Sequence, residues 1–428
     1  MKILHINSSQ EGGAAWCAIR INNALIRQGV ESRMLFAQGK KIPEGVEGAV
    51  AKKDAMLKFR SNSFFVMFRH LLMRSPWYFN VEKMQDWLHN VNLHHLFLHQ
   101  PLSNYTEIVN HPLVEWADII HLHWVPDFID YPTFFKRIKK PIVWTLHDQY
   151  PVLGVMHFES KYTVRPKELD KIDFFCRKIK KKGLSKVGSL HVVAISEMMK
   201  DIISSSDLLG NFPVTLIHNG VDTGIFRRMK DDKSIVSGFI SSLEKDTKIF
   251  LFSSYSIWDK RKGLDRVLEA LEFVKKINSY NFALVVIGHI DKGIQVDASF
   301  PVFCTGLVKS QIELAKIYSS VNYFINASYE EAFAQTPLEA MACGTPVIST
   351  PCSGASDLIR SFNGIICDSF DVSALQRGIQ KAISVKYNAE QIRDYIMEHF
   401  DYNIIAKEYI DLYCKIQDKL RLNNHHNL

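Results

Sequence analysis

The chain reads as an α/β protein of two doubly wound domains, and three observations predict it. Short apolar, β-branched runs alternate with amphipathic helical windows from the first residues onward. The alternation stops at a charged stretch, 227–237, and restarts at 248. A length of 428 residues exceeds one average domain, so two is the natural division.

Residues 2–7 (KILHIN) form a first strand, 8–13 (SSQEGG) a loop, and 14–27 a helix that stops near Gly29. Residues 31–37 return as a second strand. This opening has a glycine pair, Gly12-Gly13, but lacks the G-x-G-x-x-G pattern, so it does not imply a dinucleotide. Residues 52–110 are harder to read. Within them, 56–74 is a basic and aromatic helix-like segment that either packs on the first domain or lies on an anionic lipid surface. Residues 118–125 (DIIHLHWV) are a strand with His121 and His123 on one face. Such a pair can bind metal, but no third ligand stands at a recognisable spacing, so no metal is expected. Residues 141–148 (PIVWTLHD) are a buried strand with a polar pair, His147-Asp148, at its carboxyl edge. The basic run in 174–186 is either a solvated helix face or a surface for anionic lipid or acceptor phosphate. Residues 191–196 are a strand, with Ser196 capping the next helix.

In the second half, 248–253 is a strand, 254–263 (SYSIWDKRKG) a polar loop, and 264–277 an amphipathic helix. Arg261 and Lys262 therefore precede a helix N-terminus, where N–H groups and the dipole favour an anion. Strands follow at 283–288 and 302–308. Residues 321–350 (VNYFINASYEEAFAQTPLEAMACGTPVIST) read as strand, loop, short helix, strand. Thr336 looks like an N-cap, Pro337 the first helical residue and Gly344 the C′ glycine. Glu331 then lies on a loop at the carboxyl end of a strand, the edge where open α/β sheets bind ligands. Glu339 follows eight positions later. On local grammar alone Thr336-x-x-Glu339 is also a capping box. Residues 371–383 and 388–420 are helical.

Composition narrows the partners. A hydrophobic content of 47% with 23% charge fits a globular chain with a real core. The seven cysteines show no C-x-x-C spacing and read as free thiols of a reducing compartment. No apolar run approaches the roughly 20 residues of a membrane span, and the opening strand is too short for a signal peptide. A cytoplasmic location is expected. The net charge of +7 suits an acidic partner, either a nucleotide diphosphate or an anionic membrane surface. Nucleic acid is not expected, because the basic residues track no recognised motif.

Glu331, seven residues, Glu339, and then Ala340-Met341-Ala342-Cys343-Gly344-Thr345-Pro346-Val347 closely resemble the E-x7-E signature of retaining glycosyltransferases of family 4. The resemblance extends to the T-L-H-D segment ending at Asp148, to 214–226 (VTLIHNGVDTGIF) and to Lys262-Gly263. It implies the GT-B fold: two Rossmann-like domains facing across a cleft, with a C-terminal helix crossing back to the first. On that basis 1–212 is the acceptor-binding domain, 213–400 the nucleotide-sugar-binding domain, and 401–428 the crossover helix and tail.

The resemblance also implies roles. Glu331 and His147 would contact the donor sugar, Glu339 the ribose, and Lys262 the leaving diphosphate. Gly12 and Gly13 would lie near the donor phosphates. Arg261, Phe333, Ala334 and Gln335 would line the donor site, and the backbone near Val308 would hold the base. The family's arginine six residues before the lysine is Ser256 here, which leaves Lys262 and Arg261 to carry the charge. Asp148 would orient its loop or His147. The implied activity is a retaining, metal-independent transfer from a nucleotide-sugar to a saccharide or lipid-linked acceptor. Polysaccharide or lipopolysaccharide assembly, peripheral on the inner membrane face, is the expected setting. An inactive GT-B scaffold and a GT-B nucleotide-sugar epimerase are the rivals.

Overall fold

The computed structural model describes residues 1–37, 42–43, 45–53, 98–159, 167–229, 233–290 and 296–425. The amphipathic segment 56–74 lies outside them. The chain divides into two compact units. One comprises Met1–Ile195, Met199–Ile217 and Ala406–Leu428; the other comprises Ser196–Met198 and His218–Ile405. Among the described residues no helix is long and apolar enough to cross a membrane.

In the first unit the described strands are β1 (Lys2–Asn7), β2 (Glu31–Phe36), β3 (Gly48–Val50), β4 (Ile119–Leu122), β5 (Ile142–Leu146), β6 (Leu190–Ala194) and β7 (Val214–Leu216). They form one parallel sheet in the order β3-β2-β1-β4-β5-β6-β7. Central strands of such a sheet are covered on both faces, so they read as apolar runs. Ile3, Leu4, Ile6, Ile119, Ile120 and Leu122 are all buried accordingly. The segment expected to open the second domain at 213 instead closes this sheet. Val214 to Leu216 pair in parallel with Val192 to Ala194, and the unit boundary falls after Ile217. The β-branched run there finds an open sheet edge before the chain leaves.

The long last helix, Tyr402–His425, contributes residues from 406 onward to this first unit, as expected of a crossover helix. A polar seam holds it there. The hydroxyl of Tyr413 bonds His121 Nδ1 at 2.6 Å, and that of Tyr409 bonds Thr145 Oγ1 at 2.9 Å. His121 Nε2 reaches the same Thr145 hydroxyl at 2.8 Å. His5 on β1 and His123 on β4 share a bond of 2.8 Å, and His123 shares another of 3.0 Å with His147. These imidazoles sit in the middle of the unit because paired strands β1 and β4 place His5 directly beside His121.

In the second unit the described strands are β8 (Lys248–Ser256), β9 (Phe282–His289), β10 (Val302–Gly306), β11 (Tyr323–Asn326), β12 (Val347–Ser349) and β13 (Gly364–Ile366). They form a parallel sheet in the order β10-β9-β8-β11-β12-β13. Its core packs Phe250, Leu284, Val286 and Ile325 against Val267, Leu271 and Val274 of the helix Leu264–Ile277 and Leu375 and Ile379 of the helix Val372–Ser384. Gly344 takes the left-handed conformation expected at C′, with φ 83°. The region 388–420 is covered by two helices, Ala389–Phe400 and Tyr402–His425, so the crossover helix starts beside the expected 400/401 boundary. The break falls at Asp401, where Phe400 and Tyr402 exchange backbone bonds with Val221 at 2.8 and 3.1 Å. Backbone pairing with that strand-like segment competes successfully with helix continuation.

The basic run also differs from a uniformly solvated face. It lies on the helix Lys167–Leu184, but Lys180 is fully buried. Its Nζ donates to the carbonyls of Tyr150 and Leu153 at 2.5 and 2.9 Å and lies 3.3 Å from the centre of the Tyr150 ring. Burial pulls its pKa down to about 7.

Burial also holds His5 at about 3 and His147 at about 4, and His121 and His123 well below the usual 6.5. The folded chain thus keeps these four imidazoles neutral where the unfolded chain would protonate them. Their contribution to stability is complete above pH 6.5 and is lost as the pH falls toward their folded values. Each protonated histidine costs roughly 1.4 kcal/mol per pH unit. Urea unfolding followed from pH 7.5 to about 5 should therefore lose stability steeply, and His121→Gln should flatten the slope.

Candidate functional site

The second sheet reverses its winding between β8 and β11, and open α/β sheets bind ligands at such points. The loops that follow these two strands are tied together. Tyr329 N–H donates to the Arg261 carbonyl at 2.9 Å, and Arg261 Nη1 donates to the Glu330 carbonyl at 3.1 Å. Lys262 Nζ forms an ion pair with the Glu331 carboxylate, which also accepts from Ser328 Oγ at 2.8 Å. Lys262 and Glu331 are thus brought together from positions 69 apart in the chain.

Gly263 lets this happen. It caps the helix Leu264–Ile277 at φ 79°, and a Cβ there would stand 2.8 Å from the Ala327 carbonyl oxygen. Arg266, in the first turn of that helix, is buried. It donates to the carbonyls of Ala327 and Phe370 and stacks 3.4 Å over the Tyr329 ring. Sequence reading missed Arg266 and Ser328. A lone arginine in an amphipathic helix and a serine before two glutamates carry no distinctive pattern.

The electrostatics favour an ionised Glu331. Burial alone would raise its pKa, but Lys262, Arg261 and Ser328 together outweigh that and hold it below the usual carboxylate range. Only 22% of the Lys262 side chain and 15% of the Glu331 side chain remain exposed. A half-buried ammonium beside a 14-residue helix N-terminus is suited to meet an anion that enters from solvent.

Glu339 lies on the neighbouring helix, Gln335–Ala342. That helix begins two residues earlier than the cap grammar predicted. Ala334 is its N-cap, and no side chain caps it. The capping-box reading of Thr336 and Glu339 therefore fails. Glu339 is buried in the second turn and accepts from the Tyr318 hydroxyl at 3.3 Å. Phe333 and Ala334 are buried, and Gln335 Nε2 donates to the Gly220 carbonyl at 2.7 Å. The Ser196 hydroxyl donates to the Ala332 carbonyl at 2.8 Å, as does that of Ser353 at 2.9 Å. Val308 is half-buried in the loop after β10.

In the first unit, Gly12 precedes and Gly13 opens the helix Gly13–Arg27 after β1. His147 follows β5. Burial keeps it neutral, although Asp148 pulls the other way. Asp148 does not bond His147. It bonds His157 Nδ1 at 2.5 Å, Trp124 Nε1 at 2.8 Å and the Tyr150 N–H at 2.9 Å, and so fixes the loop that follows. The third imidazole that the H-x-H pair lacked in sequence is His5; its ligand atom and those of His121 and His123 lie within 4.8 Å of one another. Both nitrogens of His121 and His123 are, however, engaged by protein groups in the seam described above.

Removing the cation tests this electrostatic picture. In Lys262→Met, burial should carry the Glu331 pKa from below its usual 4.5 to above it. In the native chain the pair's contribution is present above the usual value and lost as the pH falls through the folded one. A ¹³C carboxyl titration of both proteins checks this; an unmoved Glu331 would show that Arg261 and Ser328 suffice.

Comparison with known proteins gives this geometry a family. The model for glycosyltransferase family 4 matches residues 11–224, and that for glycosyl transferases group 1 matches residues 238–399. The capsular polysaccharide biosynthesis glycosyltransferase CapM of Staphylococcus aureus is 26% identical over 256 residues, 57% of this chain. The match spans 63% of CapM, less than two thirds of its length. Sucrose-phosphate synthase from Thermosynechococcus elongatus has a TM-score of 0.67 at 17% identity, over 98% of this chain and 100% of that one. HepE of Anabaena, solved with UDP and glucose, has a TM-score of 0.64 at 15% identity, over 97% and 100%. At such identities the structures speak for the fold, two parallel-sheet α/β domains of GT-B type. With one family model spanning half of it and a second following on, this chain belongs to glycosyltransferase family 4, with the second half of the glycosyl transferases group 1 kind.

Proposed function

We propose that the protein moves a sugar from a nucleotide-sugar donor to a hydroxyl of a saccharide or lipid-linked acceptor, with retention at the anomeric carbon. The observation that carries this reading is the Lys262–Glu331 pair at the β8/β11 switch point beside a helix N-terminus. In the reaction, the bond between the anomeric carbon and the diphosphate oxygen breaks. The acceptor oxygen bonds the same face, and its proton passes to the departing diphosphate. Negative charge grows on that diphosphate. Lys262, Arg261 and the helix N–H groups stabilise it there, and such preorganised electrostatics are usually the largest catalytic term. A metal is not needed for this neutralisation.

Glu331 positions the sugar through its hydroxyls. Glu339 holds the ribose, and Phe333, Ala334 and Gln335 line the donor's side. The backbone near Val308 receives the base. The UDP and glucose bound by HepE make a UDP-hexose the first donor to test. The capsular relative supports a place in cell-surface polysaccharide assembly. The exposed Phe174, with Lys178 Nζ 4.4 Å over its ring, supports contact with an anionic membrane surface. One observation favours the rival reading of an inactive sugar-binding scaffold: Ser256 leaves the loop one cation short of the family's usual pair.

Incubating the protein with a panel of nucleotide-sugars and acceptors and measuring nucleotide diphosphate release separates the two. Turnover is expected, and Lys262→Ala should lower kcat by roughly 10²–10³ with the fold intact. Wild-type turnover in that variant would overturn the leaving-group assignment, and no release from any donor would favour the scaffold.

A further inference from the structure

We propose that Arg266 is a positioning residue for donor binding: from inside the helix Leu264–Ile277 its guanidinium fixes the loop that carries Glu331. What that loop binds rests on the transferase reading above; the fixing itself rests on the following geometry.

Glu331 sits in the middle of the loop between β11 and the helix Gln335–Ala342. A loop has no ladder of backbone bonds, so other partners must hold it if one carboxylate is to be placed to within ~0.5 Å. Arg266 takes hold of it twice. Its Nη2 donates to the carbonyl of Ala327, the fully buried residue that follows β11. Its Cζ stands 3.4 Å from the centre of the Tyr329 ring. The anchor lies elsewhere: Nη1 donates at 2.8 Å to the carbonyl of Phe370, in the loop after β13, and the Phe370 ring in turn stands 5.9 Å from that of Tyr329.

The hold is passed on to the charged pair. The Tyr329 N–H donates to the Arg261 carbonyl at 2.9 Å, and Arg261 Nη1 donates to the Glu330 carbonyl at 3.1 Å. Tyr329 thus joins the guanidinium stack to the loop that presents Lys262. Fixing this one residue fixes both members of the Lys262–Glu331 pair relative to each other.

Arginine is specified here. Two carbonyls on different loops and one aromatic face demand a planar donor with diverging N–H groups. A lysine ammonium is a point charge on a flexible stem and cannot reach both carbonyls while it stacks. Space for the guanidinium is reserved as well. A Cβ on Gly263 would overlap it, besides crowding the Ala327 carbonyl. Lys262-Gly263 therefore joins a cation for the anion to the room needed by the arginine that aligns the cation's partner.

Arg266→Lys tests the assignment, since it keeps the charge and removes the fork. In a ¹³C carboxyl titration the Glu331 pKa should rise from its depressed native position, because Lys262 and Ser328 lose their alignment while burial remains. With a nucleotide-sugar that the native protein turns over, the donor KM should rise tenfold or more. A variant that had merely lost stability would lower kcat through the fraction folded and leave KM where it was. Tyr329→Leu, which removes only the stacking face, should move both readouts the same way by less. Arg393→Lys is the matched control. Arg393 also donates to three carbonyls of this unit, those of Phe226, Ala342 and Thr223, and its loss should lower the melting temperature without moving Glu331. The proposal is overturned if Glu331 titrates in Arg266→Lys as it does in the native chain, if KM is unchanged, or if Arg393→Lys shifts Glu331 equally. Native turnover with Glu331 and KM unmoved in Arg266→Lys would sink this assignment and leave the transferase reading standing. Should the native protein release no nucleotide diphosphate, that reading falls, and the Glu331 titration by itself decides the role of Arg266.

Discussion

A parallel sheet that winds first one way and then the other must leave two neighbouring strands whose onward connections depart to opposite faces. The crevice between those connections is not optional; it follows from strand order. Each unit of this chain has one such point, at β1/β4 and at β8/β11. The side chains with chemistry to offer collect there. Ser8, Trp124 and Asp127 gather at the first, and Lys262, Arg261 and Glu331 at the second. The rest of the architecture serves to hold those few loops in register.

The two crevices differ in electrical character. The second holds formal charges, a lysine and a glutamate that neutralise one another until something anionic competes. The first is dominated by imidazoles that burial keeps uncharged. Neutral histidine offers one donor and one acceptor, and its neighbours decide which is which. A phosphate-rich ligand and a hydroxyl-rich ligand make opposite electrostatic demands on such a crevice.

Much of this was legible from sequence where the information is local. The helix over 264–277, the C′ position of Gly344, the loop that carries Lys262 and the strand edge before Glu331 all follow from residue periods, caps and turn grammar. What stayed hidden depends on partners distant in the chain. His5 meets His123 across 118 positions, and His157 meets His99 across 58. No spacing rule reaches that far. Thr336 failed as a cap for a related reason: buried Phe333 and Ala334 packed well enough to start the helix early, and packing outweighed a hydroxyl bond worth about 1 kcal/mol. Lys180 misled by composition, since a run of basic residues says nothing of which one turns inward.

The polar seam that fastens Tyr409 and Tyr413 has a consequence for how the chain is made. The first unit contains both the earliest and the latest residues, with the second unit inserted between Ile217 and Ala406. A ribosome therefore releases the whole of the inserted unit before it delivers the tyrosines that complete the unit begun first. Domains generally fold as they emerge. Here the half begun second should mature first, while the strands around His121 wait, their imidazoles uncovered, for the final helix to arrive.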